Sequence, residues 1–295
     1  MLGLVKNSLR YHTFGRVFYI AVAGLLFYGI TDVMHDSDVY SMLTFGYGLP
    51  FVCAVVIINT GREHSCGGLR LKIVAGYSKV QIYLAQMISS MICAAMLYLF
   101  IAVPIFLDMA AEHVGLYFMT LLLTYMFAGA VSACLAMCIS RTVIVMCGVM
   151  AAGVMMFVMT EPLQEALQEE KYNVSYTMDY SRLEEYGVDG CYAAHTRDNP
   201  SYIGGAGRVI FKVIAAADPW MHMENMVDYM DMLEEDKGYY KYTYVDPAAG
   251  VYTDLECDMH KEEISEEKYM FVYTIGLIAA VTAAGLIGFR RKELV

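Results

Sequence analysis

Apolar residues gather in six long, nearly uncharged stretches, at 17–31, 39–60, 82–107, 114–139, 143–160 and 269–289. A hydrocarbon core about 30 Å thick needs roughly 20 such residues of helix, so each stretch predicts one membrane span. The first is short, and residues 14–16 and 32–33 can complete it. Ahead of it, Leu2, Val5 and Leu9 fall on one helical stripe and Lys6 and Arg10 on another, the pattern of a short helix lying in the membrane interface. With no small-residue cleavage site after Tyr28 and five further stretches downstream, the first stretch reads as a retained helix rather than a secretory signal.

Residues 161–268 break the apolar pattern and are polar enough to fold as a separate domain. Pro162 suits the first turn of a helix through residue 171, and residues 172–180 alternate with the two-residue period of a strand. Asp218 and Pro219 resemble the cap and first position of a helix through Asp236. Segments 239–245 and 251–257 flank a turn as a hairpin. Gly204-Gly-Ala-Gly-Arg208 lacks the Lys-Ser/Thr of a phosphate loop and reads as a flexible turn. The expected fold is an α-helical polytopic membrane protein with six transmembrane helices and an α+β domain between helices five and six. Its parts are 1–160 (interfacial helix and helices one to five), 161–268 (acidic domain), and 269–295 (helix six and a basic tail).

Composition agrees, since 58% hydrophobic and 17% charged residues are unusual for a soluble domain. The net charge of −11 conceals an asymmetry that orients the chain. With the N-terminus inside, the inner pieces carry Lys6, Arg10, Arg16, Arg62, Arg70, Lys72, Lys79, Arg141, Arg290, Arg291 and Lys292 against only Glu63 and Glu293. The short outer loops carry Asp32, Asp36, Asp38, Asp108 and Glu112 and no base, and residues 161–268 hold 24 acids against 9 bases. Bases retained inside place both termini in the cytoplasm and the acidic domain outside. The acidity belongs to that outer domain, and no nucleic-acid partner is expected.

A charge at the bilayer centre costs at least about 2.5 to 3.5 kcal/mol and marks ion or proton pathways. No stretch has one at its centre, and all 7 histidines fall outside the centres. Ion-coupled transport and intramembrane proteolysis therefore lack their residues, and no catalytic set is assigned. Met146, Met150 and Met155 make the fifth stretch adaptable, as candidate substrate-lining residues or as ordinary packing. Cys191 and Cys257 are the two outer cysteines and can form one disulfide. Their spacing to His195 and His260 also permits zinc, although no metal site is assigned.

The inner loop from Gly61 to Gln81 parses as helix, break, helix. Gly67 and Gly68 interrupt the second span, residues 69–75 can form two turns, and Gly76 suits a left-handed cap. Ser78 and Gln81 form a capping box at the start of the third span. Leu69, Ile73 and Tyr77 are expected on the outward side of the short helix, with Arg70 and Lys72 nearby.

Residues 67–84, preceded by Asn59 and Glu63, resemble the inner loop of bacterial type 2 ABC exporter permeases. Those often read Gly-Thr-Ile-Arg-Asn-Lys, then Gly-x-Ser-Arg and Ile-Tyr-Leu. Gly68, Arg70, Lys72, Gly76, Ser78 and the triplet 82–84 match, while Leu69 stands for Thr, Leu71 for Asn and Lys79 for Arg. The basic tail Phe289-Arg-Arg-Lys fits too. The resemblance implies a bacterial plasma membrane and a coupling helix in which Glu63, Arg70, Ile73, Gly76 and Tyr77 meet a cytoplasmic ABC ATPase subunit. It implies a homodimer or heterodimer of permeases, with ATP and magnesium on the partner and no cofactor in this chain. The substrate expected is amphipathic, lipid-like or peptide-like. The alternative is a membrane sensor or immunity protein whose outer domain binds a ligand without transport.

Overall fold

A computed structural model of the chain describes residues 1–13, 15–35, 38–108, 114–139, 141–169, 171–178, 192–218, 220–222, 225, 239–245 and 252–291. Seven helices come first: α1 (Leu2–Thr13), α2 (Arg16–His35), α3 (Asp38–Ser65), the short α4 (Gly68–Val74), α5 (Lys79–Asp108), α6 (Val114–Cys138) and α7 (Thr142–Gln168). Strands β1 (Tyr172–Met178) and β2 (Tyr192–Asp198), helix α8 (Gly205–Ala215), strands β3 (Tyr239–Val245) and β4 (Tyr252–Asp258), and the long α9 (Met259–Arg291) follow.

The protein is mostly helical, the form in which apolar segments satisfy their backbone internally, as lipid would require. Among the described residues, four helices are long and apolar enough to cross a membrane, over Lys79–Pro104, Gly115–Cys138, Thr142–Gln168 and Lys268–Arg291. They overlie the third to sixth apolar stretches. The first stretch lies in α2, which meets α1 at a 64° bend, and the pair counts as a fifth span if taken as one. The second stretch lies in α3, of which only residues 48–65 are described with their side chains. Its last turns carry Asn59, Thr60, Arg62, Glu63 and His64.

Helices α5 and α6 form the centre. Half of each spanning window is buried, against 6% in α7 and 17% in α9. Leu25 of α2, Val52 and Val55 of α3, Leu97, Tyr98 and Ile101 of α5 and Leu121 and Tyr125 of α6 make the main core. The Tyr98 hydroxyl donates to the Phe118 carbonyl at 2.9 Å, and its ring lies 5.0 Å from that of Tyr125. Helix α9 comes closest to this centre at Gly285, where an added Cβ would collide with the Tyr83 hydroxyl and the Cys134 sulfur. Such close backbone approach is the usual meaning of a small residue in a membrane helix. One turn on, Phe289 stacks at 5.7 Å from Tyr83.

Two local expectations are corrected. Pro162 does not open a new helix but lies inside α7, which runs unbroken to Gln168. A proline costs a helix hydrogen bond. The helix continues because Leu163 and Leu167 carry its apolar face onward, into a cluster with Phe211, Ala215 and Ala216 of the α8 region and Met270 and Tyr273 of α9. The glycines at 204–207 are not a turn, since α8 begins there with Gly204 as its cap. The apolar residues that follow them, Val209 to Ile214, supply its helical face.

The expected strand at 172–180 is β1, antiparallel to β2 with Tyr172 opposite Asp198 and Met178 opposite Tyr192. The expected hairpin is β3–β4, with Tyr239 opposite Asp258. The two ladders are separate, and among the described residues no larger sheet joins them. Of the helix expected to follow Asp218, residues 220–222 are helical and the Asp218 Oδ1 accepts from the Trp220 amide at 3.0 Å, while most of the remainder to Asp236 lies outside the described residues. Cys191 lies outside them too, and of Cys257 only the backbone is described, opposite Tyr240.

The seat at Gly285 gives a test of the helix packing. Gly285→Val should destabilise the detergent-solubilised protein by about 1–3 kcal/mol, the usual cost of overpacking. Gly276→Val, with open space around its Cβ position, should leave thermal unfolding unchanged.

Candidate functional site

The candidate site is the elbow between α3 and α5. Helix α3 ends at Ser65, Gly67 adopts a left-handed φ of 72°, and α4 makes two turns. Its end is doubly bonded: the Gly76 amide donates to the Ile73 carbonyl at 2.9 Å and the Tyr77 amide to the Lys72 carbonyl at 3.1 Å. That pairing is the Schellman motif, and it needs Gly76 at φ 89°, a conformation that strains a residue bearing a Cβ. Helix α5 then opens on a reciprocal box. The Ser78 amide donates to Gln81 Oε1 at 3.0 Å and the Gln81 amide to Ser78 Oγ at 3.2 Å. Between these two fixed ends α4 has little freedom of its own.

The face α4 presents differs from the sequence expectation. Leu69 is buried among Leu4, Ile82, Tyr83 and Phe289, and Ile73 packs against the same cluster. A seven-residue helix has only one stripe to bury, and α1 with α5 covers that one. The outward face is therefore Arg70, Leu71 (69% exposed), Val74 (84%) and Tyr77 (38%).

Glu63, expected as a partner contact, is instead buried and ion-paired to Lys72. Lys72 Nζ also donates to Ser8 Oγ at 2.9 Å. One ammonium group thus ties α1, α3 and α4 together. Deeper, the Gln86 amide nitrogen donates to Thr60 Oγ1 at 3.1 Å and lies 2.9 Å from His12 Nε2. Asn59 Nδ2 donates to the His12 carbonyl at 3.2 Å. Burial, and then the charge of Lys72, push the His12 imidazole down to about 4, so it is held neutral.

Of the residues named from the sequence, the fold gathers Glu63, Arg70, Ile73, Gly76 and Tyr77 on one elbow, with Arg70 and Tyr77 outward and Glu63 inward. The methionines are not brought together on one lining. Met146 packs beside Cys53, Ile57, Ala136 and Val145, whereas Met150 and Met155 are exposed. The side chains of Cys191, His195, Cys257 and His260 lie outside the described residues.

Sequence reading missed Ser8, His12, Thr60 and Gln86. A signal existed in α1, where the stripe buried against the protein is Leu4, Ser8, His12 at four-residue spacing. It also missed a second polar cluster, at the α8 end. There Thr160 Oγ1 donates to Asp218 Oδ2 at 2.9 Å, and Thr274 Oγ1 donates to the Ala216 carbonyl at 2.8 Å. Burial raises the Asp218 carboxyl above its ordinary range, against the hydrogen bonds from Thr160 and Trp220.

No family model, curated protein or solved structure matches this chain. What the fold defines is a mostly helical protein with four apolar helices that could span a membrane.

Two measurements probe the elbow. Lys72→Ala strands the Glu63 carboxylate in a buried place and should cost about 3–5 kcal/mol, whereas Glu63→Gln with Lys72→Met should cost less than Lys72→Ala alone in denaturant titrations. A His12 pKa depressed from 6.5 to about 4 gives stability that is full above pH 6.5 and falls as the pH drops toward 4. Melting curves across that window should show the loss, and His12→Gln should flatten it.

Proposed function

We propose that this chain is the membrane-spanning permease subunit of an ATP-driven ABC exporter, with α4 as the element that receives motion from a cytoplasmic ATPase subunit. The observation that carries the reading is the elbow. A two-turn helix is fixed at both ends, anchored inward through Leu69 and Lys72, and bare on the face that holds Arg70, Leu71, Val74 and Tyr77. A rigid, outward, apolar and basic knob at the end of a helix bundle suits docking into another protein's groove better than it suits a connecting loop.

In this reading six helices cross a bacterial plasma membrane, α2 and α3 supplying the first two. The bases at the α4 end, Arg62, Arg70, Lys72, Lys79, Arg290 and Arg291, put that end and both termini in the cytoplasm. The acidic segment 161–268 is then extracytoplasmic. Two permeases assemble, alike or different, and the ATPase subunits hold ATP and magnesium. A push on α4 reaches α3 through Glu63 and α1 through Ser8, both by way of Lys72. The exported molecule is amphipathic, lipid-like or peptide-like, and Met150 and Met155 offer it adaptable surface.

Affinity purification of the full chain from native membranes should recover a Walker-motif ATPase. Leu71→Asp with Val74→Asp should remove it while leaving the chain's own melting temperature in place, because both side chains are already exposed. Arg70→Ala should lower the ATPase turnover of the complex. Undiminished recovery and turnover in these variants would sink the coupling assignment.

A further inference from the structure

Helix α8 divides into three faces. Phe211 and Ala215 face the cluster formed with Leu163 and Leu167 of α7 and Met270 of α9. Arg208 and Lys212 form a basic row, in which Arg208 donates to the carbonyls of Leu167 at 2.6 Å and Glu169 at 3.4 Å. The third row is apolar and unpartnered: Val209, Ile210 and Ile214 are 51%, 58% and 44% exposed. A helix buried on one apolar side and bare on another is unfavourable in water, and the bare side needs an occupant.

What surrounds α8 identifies that occupant. The helix packs on α7 and α9, two of the four helices apolar enough to cross a membrane, at the place where both leave their apolar stretch. On α7 itself Val154, Phe157 and Val158 are bare as well, at 64%, 55% and 62% exposed. Aromatic side chains with polar tips lie on or beside these three helices. Trp220 meets Phe157 at 4.8 Å, Tyr202 lies beneath the Arg208 guanidinium at 4.9 Å, and Tyr269 is exposed at the start of the α9 span. Tryptophan and tyrosine collect where hydrocarbon gives way to headgroups.

We infer that α8 is a monotopic helix seated in the headgroup layer, with Val209, Ile210 and Ile214 dipping into the acyl boundary and lipid as the occupant of its bare face. The segment between α7 and α9 is therefore partly a membrane-surface element, not wholly a water-borne domain. The inference goes beyond the exporter reading and needs only that α7 and α9 cross the bilayer.

The chain's one tryptophan makes this measurable. In a Trp220→Phe background, Ile210→Trp places a single reporter on the bare row of the full chain in phosphatidylcholine vesicles. Its emission should be blue-shifted, quenched most by lipid brominated near the carbonyl end of the acyl chain, less by lipid brominated near the methyl end, and little by aqueous iodide. Quenching by iodide but not by lipid would mean a water-facing row and would overturn the inference. Quenching by neither would mean a protein cover, a second copy included, and would overturn it as well. Val154→Trp, midway along α7, should be quenched best by the deep bromines; if it is not, the membrane reading of α7 fails and the seat of α8 falls with it. Should Trp220→Phe fail to fold, the same readout is the difference between Ile210→Trp and the parent chain.

Discussion

One ammonium group organises an end of this protein. Lys72 Nζ sits between the Glu63 carboxylate of α3 and the Ser8 hydroxyl of α1, with both charged side chains about nine-tenths buried. A charge in such a place is tolerable only while paired, so the three segments cannot separate without exposing or stranding an ion. The consequences spread outward. Helix α4 can turn only one way, which fixes Leu71 and Val74 as its bare residues. Helix α1 is held along α5, which buries His12 against Gln86 and keeps its ring neutral beside a fixed positive charge.

The bundle above that end divides into a packed pair and two outliers. Helices α5 and α6 share the largest interior and bring their tyrosines inward, each hydroxyl or ring meeting a neighbouring helix. Helices α7 and α9 present mostly bare apolar surface, suited to lipid tails. Helix α9 packs along α6 and meets α5 at Gly285 and Phe289, whereas α7 joins α3 and α6 around Val145. Their bare surface is of the kind that a membrane could cover in place of a second layer of core.

Much of this was readable in the chain, and the misses share a cause. Four of the six apolar stretches, the third to the sixth, became helices apolar enough to cross a membrane, and the glycine and serine signals at Gly76 and Ser78 became the two caps, because those effects are local. Which stripe of a short helix faces inward is decided by tertiary neighbours. Leu69 was therefore expected outward, whereas it packs with α1 and α5, and Glu63 was read as a partner contact, whereas Lys72 of α4 pairs with it. Pro162 reads locally as a helix start, yet the distant packing of Leu163 and Leu167 on α8 and α9 carries α7 through it. The buried Gln86 and Thr60 gave no warning, since lone polar residues within an apolar stretch reveal nothing of their partners.

The three residues 216–218 carry a mechanical implication. Thr274 of α9 bonds to the Ala216 carbonyl and Thr160 of α7 bonds to Asp218. Three residues of chain reach about 10 Å at most, so at this end the two helices are leashed to each other. At their other ends they belong to different neighbourhoods, α9 to Tyr83 on α5 and α7 to Ile57 on α3. A pair of rods fastened together at one tip and held separately at the other behaves as a compass, and any change of angle between α7 and α9 has its pivot beside α8.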